Sequence, residues 1–406
     1  MAQIIPFQGL RPLPQYAEQV ASPPYDVCSV SEARQQASDP FHFFYITRSE
    51  IDLPDNTDVH SAAVYEKAKE NLDAMIAAGV LKQDERDCYY IYRLVMQGRE
   101  QTGLLCASSI DDYKNGIIKK HEFTRPEKEQ DRIDHMKTVK AQTGVVFLAY
   151  RNVKEIDELI SNWKTTHPAE NDFTAEDGVR HTVWVVDDPE VTKQITALFQ
   201  DKVPATYIAD GHHRAASAAR VAADLGTQAA SFFLTAIFPE SDLKILDYNR
   251  VVKDLNGLSP EQFLEKLHQN FTVQPKGKDA FKPGQKNEFG LYLNGIWYQL
   301  TAHPELSSSE DPIAALDVSI LQDKILSEIL DIHDPRTDKR VDFVGGIRGL
   351  AELEKRVDHG GMAAAFSCYP VQLNELFRVA DSGQVMPPKS TWFEPKTRDG
   401  LVIYRL

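Results

Sequence analysis

A strand-to-helix turn near the middle of the chain carries the residues best suited to chemistry. A short run of β-forming residues is followed by Asp210, Gly211, His212, His213 and Arg214, which open an alanine-rich helical run. Glycine permits close approach of a ligand to the backbone, and the unsatisfied N–H groups of a helix's first turn attract anions. The arginine and the histidines add charge-assisted donors for phosphate oxygens. We therefore predict a phosphate site at this turn, with Asp210 as the helix N-cap.

The placement of these charges favours a functional role over a structural one. An aspartate and a glycine before a helix often serve only as a cap, and histidines often lie on the surface. Here His212, His213 and Arg214 place positive charge in the first turn, where it opposes the helix dipole. Zinc binding is disfavoured, because adjacent helical residues point about 100° apart. Binding of Mg²⁺ by Asp210 is the alternative to capping.

A carboxylate is needed as general base if a hydroxyl group reacts at this site. Asp26 is the first candidate, because the proline-stiffened segment 22–26 can hold its side chain in place. Capping of the following turn explains the same residue equally well. Glu122 is a second candidate, and His213 and Asp210 complete the predicted catalytic set.

The charged helix near residue 130 offers a second group of polar side chains. Asp131 and His135 lie four residues apart, a spacing that can hold a divalent metal ion or let the two side chains orient each other. Ion pairs on a solvated helix face explain the same residues. Arg132 is predicted as a phosphate ligand. Thr124 and Glu127 predict a capping box at the start of this helix.

A loop near the C-terminus carries a further group of possible phosphate ligands. Lys389, Ser390 and Thr391 follow two prolines, and a lysine with two hydroxyl groups on a stiff loop can bind a phosphate. Walker-type ATP binding is rejected, because the preceding glycines and the following helix are missing. Segment 345–349 lacks the full glycine fingerprint of a dinucleotide site, and its Arg348 is a weak phosphate candidate.

Composition narrows the range of partners. The 406 residues include 45 Lys+Arg and 60 Asp+Glu, and the net charge of −15 repels nucleic acid and anionic membranes. Neither a signal peptide nor an apolar run of bilayer-spanning length is visible. The four cysteines are scattered, without zinc or disulfide spacing. We expect a cytoplasmic protein whose partner is a phosphorylated small molecule.

Hydrophobic periodicity predicts the elements that position these groups. Strands are predicted over residues 41–47, 88–96, 101–108, 144–150, 179–186, 204–209, 231–238, 243–252, 341–344, 362–368 and 400–406, with a further hairpin around residue 295. Helices are predicted over residues 59–78, 125–140, 214–225, 259–269, 350–357 and 371–379. This alternation predicts an α/β fold in which helices cover mixed sheets.

We expect three regions along the chain. Residues 1–200 form an N-terminal mixed α/β region with proline-rich site loops, and residues 201–270 form a β-turn-α-β core around the central motif. Residues 271–406 form a C-terminal α/β region that contributes the Lys-Ser-Thr loop.

Two resemblances extend this interpretation. The motif Tyr-Ile-Ala-Asp-Gly-His-His-Arg at 207–214, followed by a helix of small residues, resembles that of the archaeal free-serine kinases, whose fold is similar to the ParB/sulfiredoxin nucleotide-binding domain. The whole chain resembles a bacterial family termed domain of unknown function 1015, through segments 22–26, 121–122, 131–132, 248–250, 341–346 and 387–391. The kinase resemblance covers only the central motif and its helix. It implies a ParB/sulfiredoxin-like core with large insertions and a phosphate held at the turn. In those kinases a separate acidic residue near the N-terminus accepts the proton of the serine hydroxyl, and the motif does not identify its counterpart here.

The residues and the resemblances together predict phosphoryl transfer on a small hydroxylated amino acid. Free serine and phosphoserine are the preferred pair, and the direction is open between a serine kinase-like and a phosphoserine phosphatase-like reaction. ADP or ATP and Mg²⁺ are the expected cofactors. The alternative is a non-catalytic sensor that binds a nucleotide or a phosphometabolite.

Overall fold

A computed structural model describes residues 1–406 as two compact units. The first unit contains Met1–Leu243 and Pro395–Leu406, and the second contains Lys244–Glu394. The predicted boundary at residue 200 falls inside the first unit, because the strand and helix that follow it belong to that unit's sheet and core. The last segment of the chain also belongs to the first unit.

The first unit is built from twelve strands and nine helices before the chain enters the second unit. The strands are β1 Ile4–Ile5, β2 Leu10–Pro12, β3 Leu81–Gln83, β4 Tyr89–Met96, β5 Arg99–Ser109, β6 Ile118–Lys119, β7 Ala141–Gln142, β8 Val146–Tyr150, β9 Asn171–Thr174, β10 Arg180–Val186, β11 Thr206–Asp210 and β12 Phe232–Pro239. The helices are α1 Ala17–Val20, α2 Val30–Gln36, α3 Phe44–Thr47, α4 Ala62–Ala77, α5 Ile110–Lys114, α6 Pro126–Val139, α7 Lys154–Thr166, α8 Pro189–Lys202 and α9 His212–Leu225.

A mixed sheet forms the centre of this unit. Its strands lie in the order β6-β11-β8-β12-β5-β4-β10-β9, with β1 paired to β5. β11 runs antiparallel to β8, whereas β12 runs parallel to it, so that β8 separates the two strands that flank α9. The predicted β-turn-α-β order is therefore confirmed, and the structure adds that its two strands are antiparallel. α9 packs its alanine-rich face into the core, where Ala215, Ala218 and Val221 are buried.

The second unit is a smaller α/β structure. Its strands are β13 Ile245–Leu246, β14 Tyr248–Val252, β15 Phe271–Gly277, β16 Glu288–Leu293, β17 Ile296–Ala302, β18 Val341–Gly345, β19 Ala364–Cys368 and β20 Trp392–Phe393. Its helices are α10 Pro260–Leu267, α11 Pro304–Ser307, α12 Asp317–Leu321, which continues as a π-helix, α13 Leu350–Asp358 and α14 Leu373–Asp381. Six strands form one sheet in the order β15-β17-β16-β19-β14-β18. A final strand, β21 Tyr404–Arg405, pairs with β7 of the first unit.

The mixed α/β prediction is confirmed, and local turn chemistry explains the correct hairpins. Gln97 and Gly98 between β4 and β5 have φ values of 52° and 78°, and Asn294 and Gly295 between β16 and β17 have 50° and 77°. Two consecutive positive φ angles are what a tight hairpin turn requires. None of the helices combines the length and apolar character needed to cross a bilayer.

Three local predictions are wrong. Residues 44–47 form the helix α3 rather than a strand, because an apolar run this short does not distinguish the two. The N-cap of α6 is Arg125, so Thr124 does not form the capping box and instead hydrogen-bonds Glu129 with its side chain. The strand predicted for 400–406 shortens to β21.

The C-terminal segment Pro395–Leu406 of the first unit needs a glycine at position 400. The variant Gly400→Ala tests this. Gly400 has φ +89°, and an added Cβ would lie 2.7 Å from Phe43 Cγ. We expect a loss of about 3 kcal/mol in the free energy of unfolding, measured with urea, from backbone strain and overpacking. The control is Gly226→Ala, where φ is +61° and nothing lies within 4 Å, with an expected loss of about 1 kcal/mol. Equal losses would contradict the packing of residue 400 against Phe43.

Candidate functional site

The turn between β11 and α9 is capped by glycine rather than by aspartate. Gly211 is the N-cap of α9, with φ 92° and ψ 29°, and no side chain caps the helix. The predicted capping role of Asp210 is therefore wrong, because its carboxylate accepts a hydrogen bond of 2.8 Å from Lys396 Nζ instead. Burial alone would raise the pKa of Asp210, but the charges of Lys396 and Arg214 hold it well below its usual range.

Arg214 is a buried cation with unused hydrogen-bond donors. Its Nη1 donates to the carbonyl of Val145, and its Nη2 lies 3.6 Å from Asp26 Oδ1, beyond hydrogen-bonding distance. Both Nε and Nη2 are buried and donate no hydrogen bond. Burial lowers the pKa of Arg214, but Asp26, Asp399 and Asp210 outweigh it and raise the pKa overall. The guanidinium is thus fully charged, and two of its nitrogens are left to bind another acceptor.

Tyr25 brings two of the predicted arginines to one place. The guanidinium carbon of Arg132 lies 4.0 Å from the centre of the Tyr25 ring, and that of Arg214 lies 5.8 Å from it. Arg132 is also paired with Asp131, with 2.6 Å between Nη2 and Oδ2. Asp26 follows Tyr25 directly, and its carboxylate lies 3.6 Å from Arg214 Nη2.

The pairing of Asp131 with His135, one of the alternatives for this helix, does not form. Asp131 accepts hydrogen bonds from Tyr65 Oη at 2.8 Å and from Arg132 Nε at 2.8 Å, and lies 3.0 Å from His60 Nδ1. His135 Nε2 instead lies 2.9 Å from the carbonyl of Ile46. No group of three or more His, Cys, Asp or Glu side chains is arranged to hold a metal ion. The ion pairs of the other alternative are present, but the face is not solvated, because the Asp131 side chain is 11% exposed and His135 is 3% exposed.

The two histidines of the turn act as acceptors. His213 Nε2 accepts the backbone N–H of Arg125 at 3.0 Å, and His212 Nε2 accepts that of His121 at 3.5 Å. Burial lowers the pKa of His212 to about 4 and also lowers that of His213. Both rings are therefore neutral at pH 7, which corrects their prediction as charged phosphate donors. His212 Nδ1 lies 3.7 Å from Glu122 Oε2, so Glu122 reaches the turn through His212.

Two adjoining cavities open beside Arg214 and Asp26. The smaller, about 20 Å³, is lined by Arg214, Asp399 and Gly144 among others and has room for one water molecule. The larger, about 280 Å³, is lined by Asp26 and by side chains of α4 and α6. Both share four lining residues: Tyr25, Thr47, Arg132 and His135. Their combined size suits a small metabolite.

The C-terminal segment supplies two residues that sequence reasoning missed. Lys396 pairs with Asp210, and Asp399 faces the small cavity with a buried Oδ2 that makes no hydrogen bond. Burial raises the pKa of Asp399 to about 7, although Arg214 opposes this. At Gly144, an added Cβ would lie 3.3 Å from Arg214 Cδ and 3.5 Å from Asp399 Oδ2, which explains a residue without a side chain there. The four charged residues within positions 394–399 were the available signal.

The predicted Lys-Ser-Thr loop belongs to the second unit. Lys389 has φ 57°, its carbonyl accepts a hydrogen bond of 3.2 Å from Arg250 Nη2, and Ser390 Oγ donates to the carbonyl of Pro387 at 2.6 Å. Phosphate binding by Lys389, Ser390 and Thr391 stays a prediction.

Comparisons with known proteins agree with the family resemblance. The family model described as "Protein of unknown function (DUF1015)" matches residues 4–319. No curated protein sequence matches the chain.

Three solved structures resemble the chain at low similarity. A free serine kinase mutant in complex with AMP shows 14% identity and a TM-score of 0.37, over 74% of this chain and 91% of that one. A conserved hypothetical protein from Pyrococcus furiosus shows 16% identity and a TM-score of 0.36, over 74% of this chain and 94% of that one. SbnI from Staphylococcus aureus, truncated at its C-terminus, shows 11% identity and a TM-score of 0.40, over 73% of this chain and 86% of that one. These likenesses do not extend to activity or ligands.

Asp399→Asn is expected to change how stability depends on pH. The pKa of Asp399 is raised to about 7 in the folded chain, against about 4 for an exposed aspartate. Between these values the folded state keeps a proton that the unfolded chain has lost, so this residue lowers the free energy of unfolding as pH rises. The variant should gain stability relative to the wild type from about pH 4 to about pH 7 and no further above it. Urea unfolding at several pH values measures this, and a constant difference would contradict the buried, protonated carboxyl.

Proposed function

The chain belongs to the DUF1015 family of proteins of unknown function, and we propose that this member transfers a phosphoryl group to or from a small hydroxylated amino acid. Free serine and phosphoserine are the preferred substrate pair. One observation carries the proposal: Arg214 keeps two buried N–H donors unused beside the carboxylate of Asp26. Arg214 lines a cavity of about 20 Å³, and Asp26 lines the adjoining cavity of about 280 Å³. A site of this kind offers both an anchor for phosphate and a base for a hydroxyl group.

The anchor combines backbone and side-chain donors. The first-turn amides of α9 have no acceptor within the helix, and they add the positive end of the helix dipole. Arg214 belongs to the same turn, and its planar guanidinium suits phosphate oxygens. Because phosphoryl transfer is catalysed mainly by positioning and by neutralising the oxygens of the transferred group, a fixed cation of this kind is the main requirement.

Asp26 is our proposed general base. Its side chain is 36% exposed, so it reaches the larger cavity, while Arg214 lies 3.6 Å away. In the forward direction the serine Oγ–P bond forms as the donor's P–O bond breaks, and the hydroxyl proton passes to Asp26. Hydrolysis of phosphoserine would use the same carboxylate to take a proton from water. Glu122 is the second candidate, because it contacts the turn through His212.

The phosphate donor in this proposal is ADP or ATP, as the motif's resemblance to free-serine kinases implies. The residues present do not fit a metal site held by the protein alone. Asp210, the predicted ligand, is bonded to Lys396, and no cluster of three metal-ligating side chains exists. Mg²⁺ therefore enters the proposal only as an ion carried by the nucleotide phosphates, which is its usual mode of binding.

Arg214→Met tests the phosphate anchor. The variant should lose binding of phosphoserine by at least about tenfold, because a charge-assisted bidentate contact is removed. Isothermal titration calorimetry measures the affinity. Arg220→Met is the matched control, since Arg220 lies on the same helix with a side chain 56% exposed, and it should bind as the wild type does. Equal affinity of both variants would contradict the role of Arg214.

Asp26→Asn separates an enzyme from a sensor. If Asp26 is the base, the variant should keep phosphoserine affinity within a few-fold but lose turnover by about a hundredfold or more. Turnover is measured by ³¹P NMR with ATP or ADP plus serine, and with phosphoserine alone. Full turnover by the variant would exclude Asp26 as base. A wild-type protein that binds these ligands but never converts them would instead support the phosphometabolite sensor.

A further inference from the structure

The second unit contains a buried arginine with no counter-ion. Three arginines of the chain are buried: Arg214, Arg250 and Arg398. Arg214 lies 3.6 Å from Asp26, and Arg398 is paired with Asp177. Arg250, which is 3% exposed, forms no ion pair. Among the buried arginines, it alone has no carboxylate to compensate its charge.

The neighbours of Arg250 supply only neutral acceptors. Its Nη1 donates to the carbonyl of Tyr248, its Nη2 donates to the carbonyl of Lys389 at 3.2 Å, and the thiol of Cys368 lies 4.0 Å from Nη1. Burial raises the pKa of Cys368 to about 11 despite the charge of Arg250, so this thiol is neutral at pH 7. The ring of Phe343 lies 5.4 Å from the guanidinium carbon. These contacts orient the guanidinium without neutralising it.

Burying the guanidinium of Arg250 without a counter-ion costs folding free energy. An isolated ion inside a protein costs far more than a neutral polar group, and most residues escape by losing or gaining a proton. Arginine does not escape in this way, because its guanidinium stays protonated in proteins. Burial accordingly lowers the pKa of Arg250, and no carboxylate raises it again. The folded chain therefore lacks an anion that would offset this charge.

Lys389, whose carbonyl accepts a hydrogen bond from Arg250, adds a second cation. Lys389 is exposed and forms no ion pair, and its Nζ lies 5.8 Å from the centre of the Tyr248 ring. Its backbone has φ 57°, a conformation that lysine rarely adopts. This conformation accompanies the hydrogen bond from Arg250 to the Lys389 carbonyl. The backbone of Lys389 thus contacts the buried guanidinium of Arg250, and the same residue carries an exposed ammonium group.

We propose that Arg250 and Lys389 form an oxyanion-binding site in the second unit, for a phosphate or a carboxylate group. Nη1 and Nη2 already donate to the carbonyls of Tyr248 and Lys389, so the oxygens would be bound by the remaining N–H groups of the guanidinium. Lys389 would add a mobile point charge. The sequence predicts Lys389, Ser390 and Thr391 as phosphate ligands but not Arg250, because an arginine within a predicted strand gives no sign that it is buried. The site does not rest on the proposed phosphoryl transfer.

The test uses the full chain and simple anions. Thermal unfolding is followed at low ionic strength with inorganic phosphate, sulfate or acetate, and affinities are taken from calorimetry. All measurements are made in the Arg214→Met background, so that anions bound at the turn of α9 do not contribute. Phosphate is expected to raise the melting temperature, since a ligand bound only to the folded state stabilises it. A preference for acetate over phosphate would identify a carboxylate ligand instead.

Arg250→Met supplies the decisive comparison. Without added anion, the variant should melt at or above the temperature of its parent, because an uncompensated buried charge is removed. It should also show no phosphate-induced shift and at least tenfold weaker phosphate binding. Arg336→Met is the control in the same unit, because Arg336 is exposed and paired with Asp334, and it should keep the full shift.

Lys389→Met keeps the proposal falsifiable if Arg250→Met does not fold. The side chain of Lys389 is exposed, so its loss should leave the fold intact and weaken phosphate binding several-fold. Phosphate binding of parental strength in either variant would overturn the proposal. Failure of every anion to bind in the Arg214→Met background, while the unmodified protein binds phosphate, would overturn it and leave the site of the first unit standing.

Discussion

The site in the first unit depends on compensating one buried positive charge. Arg214 is held among Asp26, Asp399 and Asp210, which together outweigh the cost of burying its guanidinium. Three carboxylates around one arginine leave an excess of negative charge, and the chain corrects it in two ways. Lys396 neutralises Asp210, and Asp399 holds its proton up to about pH 7. The result is a nearly neutral cluster in which Arg214 can accept a new anion without leaving its position.

This arrangement explains why the turn tolerates charges that oppose the helix dipole. The histidines contribute no charge at pH 7, because burial lowers the pKa of each. The one cation of the first turn, Arg214, reaches back to the carbonyl of Val145 and to the segment that contains Asp26. A ligand phosphate would replace part of the role of Asp26, whose carboxylate would then be available to a hydroxyl group. In the proposed reaction, phosphate binding and activation of the base would both act through Arg214.

The two units treat a buried arginine in opposite ways. In the first, carboxylates from distant parts of the sequence surround it, whereas in the second Arg250 contacts only carbonyls, a thiol and an aromatic ring. No proton transfer can relieve either guanidinium. In our two proposals, a ligand anion would join the carboxylates around Arg214, whereas it would be the sole counter-ion of Arg250.

Local features of the fold were predictable from sequence, and long-range ones were not. Turn residues and hydrophobic periodicity predict the hairpins at Gly98 and Gly295 and the helix after Gly211. These signals are local, because each involves residues only a few positions apart in sequence. Lys396 meets Asp210 across 186 positions of sequence, and Asp399 meets Val145 across 254. No periodic pattern encodes such contacts, because they exist only once the C-terminal segment has joined the first unit.

The same limit explains why some residues of the turn have contacts that differ from those predicted. Asp210 and the two histidines have the residue types of a cap and of charged donors. Their actual roles are set by Lys396 and by burial, which are properties of the fold.

A crystal structure of the protein with bound phosphoserine tests the central claim most directly. The account predicts the phosphate oxygens within hydrogen-bonding distance of Arg214 Nε or Nη2 and of the first amides of α9, with the amino-acid portion in the cavity beside Asp26. A phosphate bound elsewhere in the first unit, with Nε and Nη2 of Arg214 still unused, would contradict it.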